Sequence, residues 1–255
     1  MSKLLEGKTA LILGIANKWS LAYAIAQAFS REGATLVLTY LGERQKESIA
    51  DLAKDFQVAA ILPCDVTKDE ELAALTESLR ALGKPLDAVV HSLAFANRDD
   101  LNRPFVETGR AGFALALDVS AYSMVAVARA TAPLMTSGGA LMTLTYLGST
   151  RVVQNYNVMG VAKAALESSM RYLSSELGAQ KIRVNAISAG PVKTASARAI
   201  KGLSSILEVA DRTPLRRNTD PAEVADTAVF LASDLGRGVT GNVIFVDAGM
   251  HIMGF

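Results

Sequence analysis

The sequence predicts a single doubly wound α/β domain over residues 1–255, built on a parallel sheet of about seven strands. Three observations carry that expectation. Apolar runs of strand length alternate with longer segments of helical period. The strand runs are apolar throughout, as are strands covered by helices on both faces. No linker rich in Pro, Gly or Ser and no internal repeat divides the 255 residues, and one α/β domain commonly reaches about 250.

In order, residues 9–14 read as a buried strand and 21–32 as the helix that follows it. Strand two spans 35–40, with a polar helix over 43–54. Strand three spans 58–66, with a helix over 69–82, and strand four spans 86–94. A long helical region covers 105–135, broken once. Strand five (140–147) precedes a helix over 156–178, and strand six spans 181–189. The stretch 191–217, which holds small and basic residues, interrupts the rhythm at the carboxyl end of a strand, where such sheets bind ligands, and reads as a lid. A helix over 221–233, with Asp220 as N-cap, and a strand over 242–247 close the chain.

Composition excludes several function classes. Half the residues are hydrophobic, and 26 Lys and Arg stand against 25 Asp and Glu. A disordered chain is excluded. Binding to nucleic acid or to a membrane surface through a broad basic face is disfavoured. The longest uncharged stretch, 130–150, is interrupted by Pro133, Gly138 and Gly139, so no membrane span is expected. One cysteine, Cys64, and two histidines, His91 and His251, leave no disulfide and no Cys/His metal site. The N-terminus runs directly into the first strand, without a signal peptide, and the expected location is the cytoplasm.

The first turn reads Gly14-Ile15-Ala16-Asn17-Lys18-Trp19-Ser20-Leu21-Ala22. A Rossmann-type dinucleotide site needs a tight turn there, close backbone approach to a pyrophosphate and a helix N-terminus aimed at it. The usual three-glycine fingerprint is absent. Gly14 supplies the turn, Ser20 a cap and a hydroxyl, and Ala22 close packing. Strand two ends at Tyr40, followed by Glu43 and Arg44. An acid there favours NADH and a base NADPH; the expectation is NADH, with NADPH possible. At the tip of strand three, Asp65 either faces the adenine or caps the next helix. Cys64 is a small core residue, and His91 a structural histidine rather than a base.

Tyr156 and Lys163 lie seven residues apart at the start of a predicted helix. That is nearly two turns, so both project from one face about 10.5 Å apart along the axis. A phenol and an ammonium so placed can flank a nicotinamide ribose, the ammonium's field easing proton donation from a group whose free pKa is about 10. Tyr146 stands at the end of strand five, as a wall of the crevice or as a core aromatic.

Together, Gly14-x5-Ser20-x-Ala22, the run His91-Ser92-Leu93-Ala94-Phe95-Ala96, Tyr146-x9-Tyr156-x6-Lys163 and the ending Val246-Asp247-Ala248-Gly249 resemble the bacterial NADH-type enoyl-(acyl-carrier-protein) reductases, a divergent branch of the short-chain dehydrogenases/reductases. The resemblance spans essentially the whole chain. Ordinary members of the wider group carry a serine where this chain has Thr143. The resemblance implies reduction of the trans-2 double bond of an enoyl thioester, the last step of fatty acid elongation. Hydride passes from the reduced nicotinamide to C3, and Tyr156 holds the enolate oxygen. Tyr146, Tyr156 and Lys163 would be the catalytic set, with Lys163 also anchoring the cofactor. Gly14, Ala16, Ser20, Leu21, Tyr40, Asp65, Val66, Ser92, Leu93, Ala94, Val192, Lys193 and Thr194 would contact the cofactor. Ala96, Tyr146, Tyr156 and Met159 would line the acyl pocket. It also implies a homotetramer and acyl carrier protein as partner, docked near Lys201 or on Arg198, Arg212, Arg216 and Arg217, which could equally make subunit or solvent contacts. An ordinary carbonyl oxidoreductase and a non-catalytic dinucleotide-binding regulator are the rival readings.

Overall fold

The computed structural model describes residues 3–192 and 208–254. Seven strands form one sheet: β1 (Thr9–Leu13), β2 (Thr35–Tyr40), β3 (Val58–Pro63), β4 (Ala88–His91), β5 (Gly139–Thr145), β6 (Ile182–Ala189) and β7 (Val243–Val246). Their order is β3-β2-β1-β4-β5-β6-β7, and every pairing is parallel. The α/β class and the strand count are as predicted. The chain winds outward from β1 through β2 to β3, then crosses to β4 on the other side. That reversal opens a crevice at the carboxyl ends of β1 and β4.

Both faces of the sheet are covered, which is why the strands carry apolar residues at successive positions. Ile12, Leu36, Val90 and Met142 pack on one face with Ile25 and Phe29 of α1 (Leu21–Arg31) and Val224 and Leu231 of α8 (Pro221–Ala232). Their chain neighbours Leu11, Val37, Val89 and Leu141 pack on the other. There they meet Leu75 of α3 (Asp69–Ala81), Met124 of α6 (Ser123–Thr131) and Met170 of α7 (Asn157–Leu177). Each such fully buried side chain is worth about 1.5–3 kcal/mol of transfer free energy. Asp220 caps α8 as predicted, in a reciprocal capping box with Glu223.

Several predicted boundaries move. Strand three was expected to reach 66 but ends at Pro63. Beyond Cys64, the Asp65 amide donates to Glu71 at 2.7 Å and the Asp65 carboxylate accepts the Thr67 amide at 3.0 Å, so a side-chain turn carries the chain off the sheet. Strand four is Ala88–His91 rather than 86–94, and past its end the Ser120 hydroxyl holds the Phe95 backbone at both its N–H (2.9 Å) and its carbonyl (3.0 Å). The region 105–135 is broken more than once. A 3₁₀ turn (Phe105–Glu107), α5 (Arg110–Leu117), a π turn (Asp118–Tyr122), α6 and a second 3₁₀ turn holding Pro133 follow one another. The stretch Arg110–Leu134 has the length and mean hydropathy (1.6) of a membrane span, but half of it is buried in this fold. The sequence reading missed α4 (Arg98–Asn102), which is too short to show a period. α2 (Glu43–Leu52) stops two residues before the predicted end and passes into a 3₁₀ turn. Most of the expected lid, 193–207, including Lys193, Thr194, Arg198 and Lys201, lies outside the described residues.

Candidate active site

At the crevice floor, Gly14 follows β1 with φ +99°, and a Cβ there would lie 2.1 Å from the Ser92 carbonyl oxygen. Only glycine lets the ends of β1 and β4 approach so closely. Ser20 caps α1, accepting the Tyr23 amide at 3.3 Å while its hydroxyl donates to the Asn17 carbonyl at 2.7 Å. Ala22 is fully buried, so the helix sits tight on the sheet with its amide end at the crevice. Leu21 is half-buried behind that cap, and Ala16 is exposed in the turn.

Along the crevice toward β3, Tyr40 is buried at the β2 tip with the Lys46 ammonium 5.7 Å from its ring. Glu43 pairs with Lys46 at 3.3 Å, and Arg44 is exposed. Asp65 does not cap α3, whose N-cap is Lys68; its carboxylate takes the Thr67 amide and hydroxyl. Hydrogen bonds from Thr67 and the Lys68 ammonium hold it below the usual carboxylate range despite burial. Val66, Ser92 and Leu93 are half-buried, Ala94 is exposed, and Val192 is buried just after β6. Cys64 is a buried thiol pushed up to about 12, mainly by burial, which suits the core role predicted for it.

At the β5 end, Tyr146 and Tyr156 meet edge to face, ring centroids 5.0 Å apart at 66°. Around them, Ala96, Met159, Leu101 and Ala162 complete an apolar cluster, so the four residues expected to line an acyl pocket do come together. Tyr156 stands immediately before α7 between two asparagines with left-handed backbone, Asn155 (φ 61°) and Asn157 (φ 41°), a conformation asparagine tolerates. The Asn157 amide donates to the Arg103 carbonyl at 2.8 Å and the Leu101 carbonyl at 3.1 Å, tying the start of α7 to the end of α4. Two glycines make room for the phenol. A Cβ on Gly148 would lie 2.4 Å from Tyr156 Cδ1, and one on Gly160 would lie 2.8 Å from the Gly148 carbonyl oxygen.

Lys163 is buried, and its Nζ donates to the Leu144 carbonyl at 2.8 Å. Burial lowers it to about 8, opposed by the charge of Glu167. The Tyr156–Lys163 spacing predicts an ammonium that eases proton release from the phenol. Burial is instead the largest influence on Tyr156 and, with Tyr146 and Glu167, pushes it upward. Tyr146 is raised to about 12 by burial, then by Asp247. Both tyrosines are therefore protonated hydrogen-bond donors at neutral pH.

His91 is structural, as predicted. It is fully buried, its Nδ1 2.9 Å from the Thr143 hydroxyl and its Nε2 2.8 Å from that of Ser123. Burial, then the Lys163 charge, depresses it to about 3. Thr143 also donates to the His91 carbonyl at 3.1 Å, so its hydroxyl belongs to the β4–β5 seam. The sequence reading missed Asn157, Gly148, Gly160 and the pair Glu167–Thr145. Glu167 did leave a signal, being an acid one turn after Lys163 on an apolar helix face.

The family model described as enoyl-(acyl carrier protein) reductase matches residues 14–251. The chain belongs to that reductase family. A relative from Bacillus cereus, named as an NADH-type enoyl-(acyl-carrier-protein) reductase, is 53% identical over 99% of this chain and 100% of its own. One from Staphylococcus aureus, named as NADPH-type, is 48% identical over 97% of this chain and 98% of its own. The solved B. cereus reductase, in complex with NADP+ and an indole naphthyridinone, superposes with a TM-score of 0.97 over 99% of this chain and all of its own. The Anaplasma phagocytophilum reductase, solved with NAD, is 43% identical with a TM-score of 0.95 over all of this chain and 96% of its own.

Proposed function

We propose that this reductase transfers hydride from a reduced nicotinamide to C3 of a trans-2-enoyl thioester carried by acyl carrier protein, after which C2 of the resulting enolate takes up a solvent-derived proton, completing a round of fatty acid elongation. The observation that carries this reading is the edge-to-face Tyr146–Tyr156 pair just past β5, together with a buried Lys163 ammonium held on the Leu144 carbonyl of the same strand end. The residues fit such a cofactor. The α1 N-terminus capped by Ser20 suits a pyrophosphate, the Tyr40 and Asp65–Val66 end suits the adenosine, and Ser92, Leu93, Ala94 and Val192 stand at the nicotinamide end. Gly14, Ala16 and Leu21 shape the turn between them. Lys193 and Thr194 complete the assignment from outside the described residues. The nicotinamide, when bound, supplies the hydride.

The chain's own groups handle the charge that develops. Tyr156, protonated within an apolar cluster, donates to the enolate oxygen of the thioester. Each such donor is typically worth ~3 kcal/mol, several hundredfold in rate. The Lys163 ammonium binds the ribose hydroxyls and keeps them in register with the phenol. Ala96, Met159 and Tyr146 wall the acyl chain and exclude water. An ordinary carbonyl reductase would need a free hydroxyl at position 143, and that of Thr143 is tied to His91.

NADH is the proposed electron source, with NADPH as the alternative. Glu43 is neutralised by Lys46, and Arg44 is exposed beside it. Four further assignments go with the reading. These are one domain over 1–255 with a lid at 191–217, a cytoplasmic location, a homotetramer, and no nucleic acid or membrane partner. The balanced charge and the lone buried cysteine suit these assignments. For the tetramer, Tyr172 is 77% exposed on α7 beside Val125, Ala165 and Leu173, an apolar strip edged by Ser168, Ser169 and Glu176 that suits a second copy. Of the arginines considered for carrier-protein docking, Arg217 pairs with Glu223 at 2.8 Å and Arg216 donates to the Asp211 carbonyl, which favours an internal role for both. Mixing the protein with crotonyl thioester and either reduced nicotinamide tests the assignment. Loss of reduced-cofactor absorbance that depends on the enoyl thioester is the expected result. Oxidation only with ketones, or binding without turnover, would overturn it.

A further inference from the structure

Glu167 is a buried carboxylate that the mechanism above leaves without a task. It lies one helical turn after Lys163 on α7, so the two side chains share a face. Its Oε1 accepts the Thr145 hydroxyl at 2.6 Å, and Thr145 is the last residue of β5, next to the Leu144 whose carbonyl accepts the Lys163 ammonium. Acid and base are therefore tied to adjacent residues of one strand end. We propose that Glu167 is a positioning residue for this reductase: a buried counter-charge, clasped by Thr145, that keeps the Lys163 ammonium charged and pinned at the β5 edge.

The surroundings single out Glu167 for this role. Burial alone drives Lys163 down from the usual lysine range, and the Glu167 charge is what opposes the fall. Tyr156, just before the same helix, and Tyr146 after β5 are protonated, and hence uncharged, through the neutral range. His91, facing Lys163 from β4, is neutral above about 3. Asp247, after β7, acts on Tyr146. Removing the carboxylate while keeping the shape leaves the ammonium buried with carbonyl dipoles as its remaining support, and such a group releases its proton at lower pH. Thr145 prevents the carboxylate from swinging out to water, which would forfeit its effect.

The direct test is a titration of Lys163 itself, in full-length protein carrying ¹³Cε-labelled lysine, with the resonance assigned through Lys163→Arg. The native midpoint is expected near 8, and Glu167→Gln should lower it by roughly one pH unit or more. Glu167→Met, which fills the site without charge, should do the same and serves if the glutamine variant does not fold. Glu167→Asp should restore most of the native value. An unchanged midpoint in the neutral variants would overturn the proposal, since a purely structural glutamate would not move a lysine titration. NADH affinity against pH is the second readout, and it alone rests on the assignment of Lys163 as cofactor anchor. At pH 9 the neutral variants should bind NADH roughly tenfold more weakly than the native protein. If the lysine titration moves and the affinity profile does not, Glu167 does hold the charge, and the anchor assignment is what fails.

Discussion

Tyr156 is held protonated well above neutral pH, because burial disfavours phenolate and Tyr146 and Glu167 add to that. A group so held acts as a donor to developing negative charge. Tyr156→Phe should therefore lower kcat by ~10²–10³-fold while NADH affinity, read by fluorescence titration, stays near native; equal loss of both would remove the donor assignment. His91 makes a second prediction at this scale. Its folded value of about 3 lies below the roughly 6.5 of an unfolded histidine, so between those values the unfolded chain binds the extra proton. The sign follows: stability present above pH 6.5 is lost as pH falls toward 3, at about 1.4 kcal/mol for each pH unit. Urea midpoints across that window should slope accordingly, and His91→Gln should remove one proton's worth of slope. The same slope in both proteins would mean that His91 is not buried neutral.

At the scale of elements, the working geometry depends on how the β5–α7 connection is packed. Gly148 lies against the Tyr156 ring and Gly160 against the Gly148 carbonyl, while Asn157 ties the start of α7 to the end of α4. Gly148→Ala places a methyl 2.4 Å from Tyr156 Cδ1, so the ring must move. Displacement of a catalytic group by about 1 Å can cost ~10²-fold. The expected outcome is a fall of that order in kcat with little change in thermal midpoint or NADH affinity. Full activity in the alanine variant would show that the phenol's placement is not critical. None of this packing announced itself beforehand. The Tyr-x6-Lys spacing reads as nearly two turns of one helix, but Tyr156 precedes α7 next to the left-handed Asn157, so packing and not helical period places the phenol. Gly148 lies eight residues before Tyr156 across an irregular turn, and nothing in the run Leu147-Gly148-Ser149 says which ring it must admit.

For the whole molecule, the crevice spans the carboxyl ends of several strands, so a bound dinucleotide would join β2, β1, β4 and the β5–α7 unit. A ligand that binds only the folded state stabilises it by mass action, about 2.7 kcal/mol at a concentration 100 times Kd. For a chain of this size that is roughly 5–10 °C in thermal midpoint. NADH should produce such a shift in the native protein and a much smaller one in Lys163→Ala. An equal shift in both would show that the cofactor does not lean on the ammonium. The midpoint comparison between NADH and NADPH, with Arg44→Glu as control, tests the cofactor choice. A genuine phosphate contact makes that substitution weaken NADPH selectively.

By itself the sequence determined the α/β class, the strand succession, the Ser20 and Asp220 caps and the structural role of His91, and it singled out Tyr146, Tyr156 and Lys163 as the proposed set. The fold and caps rest on periodicity and capping chemistry, and His91 on its place in an apolar strand, all of which act over a few residues. Tertiary structure decided the rest. The chain beyond β4 is held by Ser120, which takes the Phe95 backbone from 25 residues on. Lys163 lost much of its proton affinity, and Tyr156 kept its proton, because of what buried them rather than what flanks them in the chain. Glu167 became the partner of Thr145, 22 residues away, only once α7 had packed on the sheet. Desolvation and long-range hydrogen bonds depend on which distant segments exclude water from a given atom, and that is a property of the packed molecule.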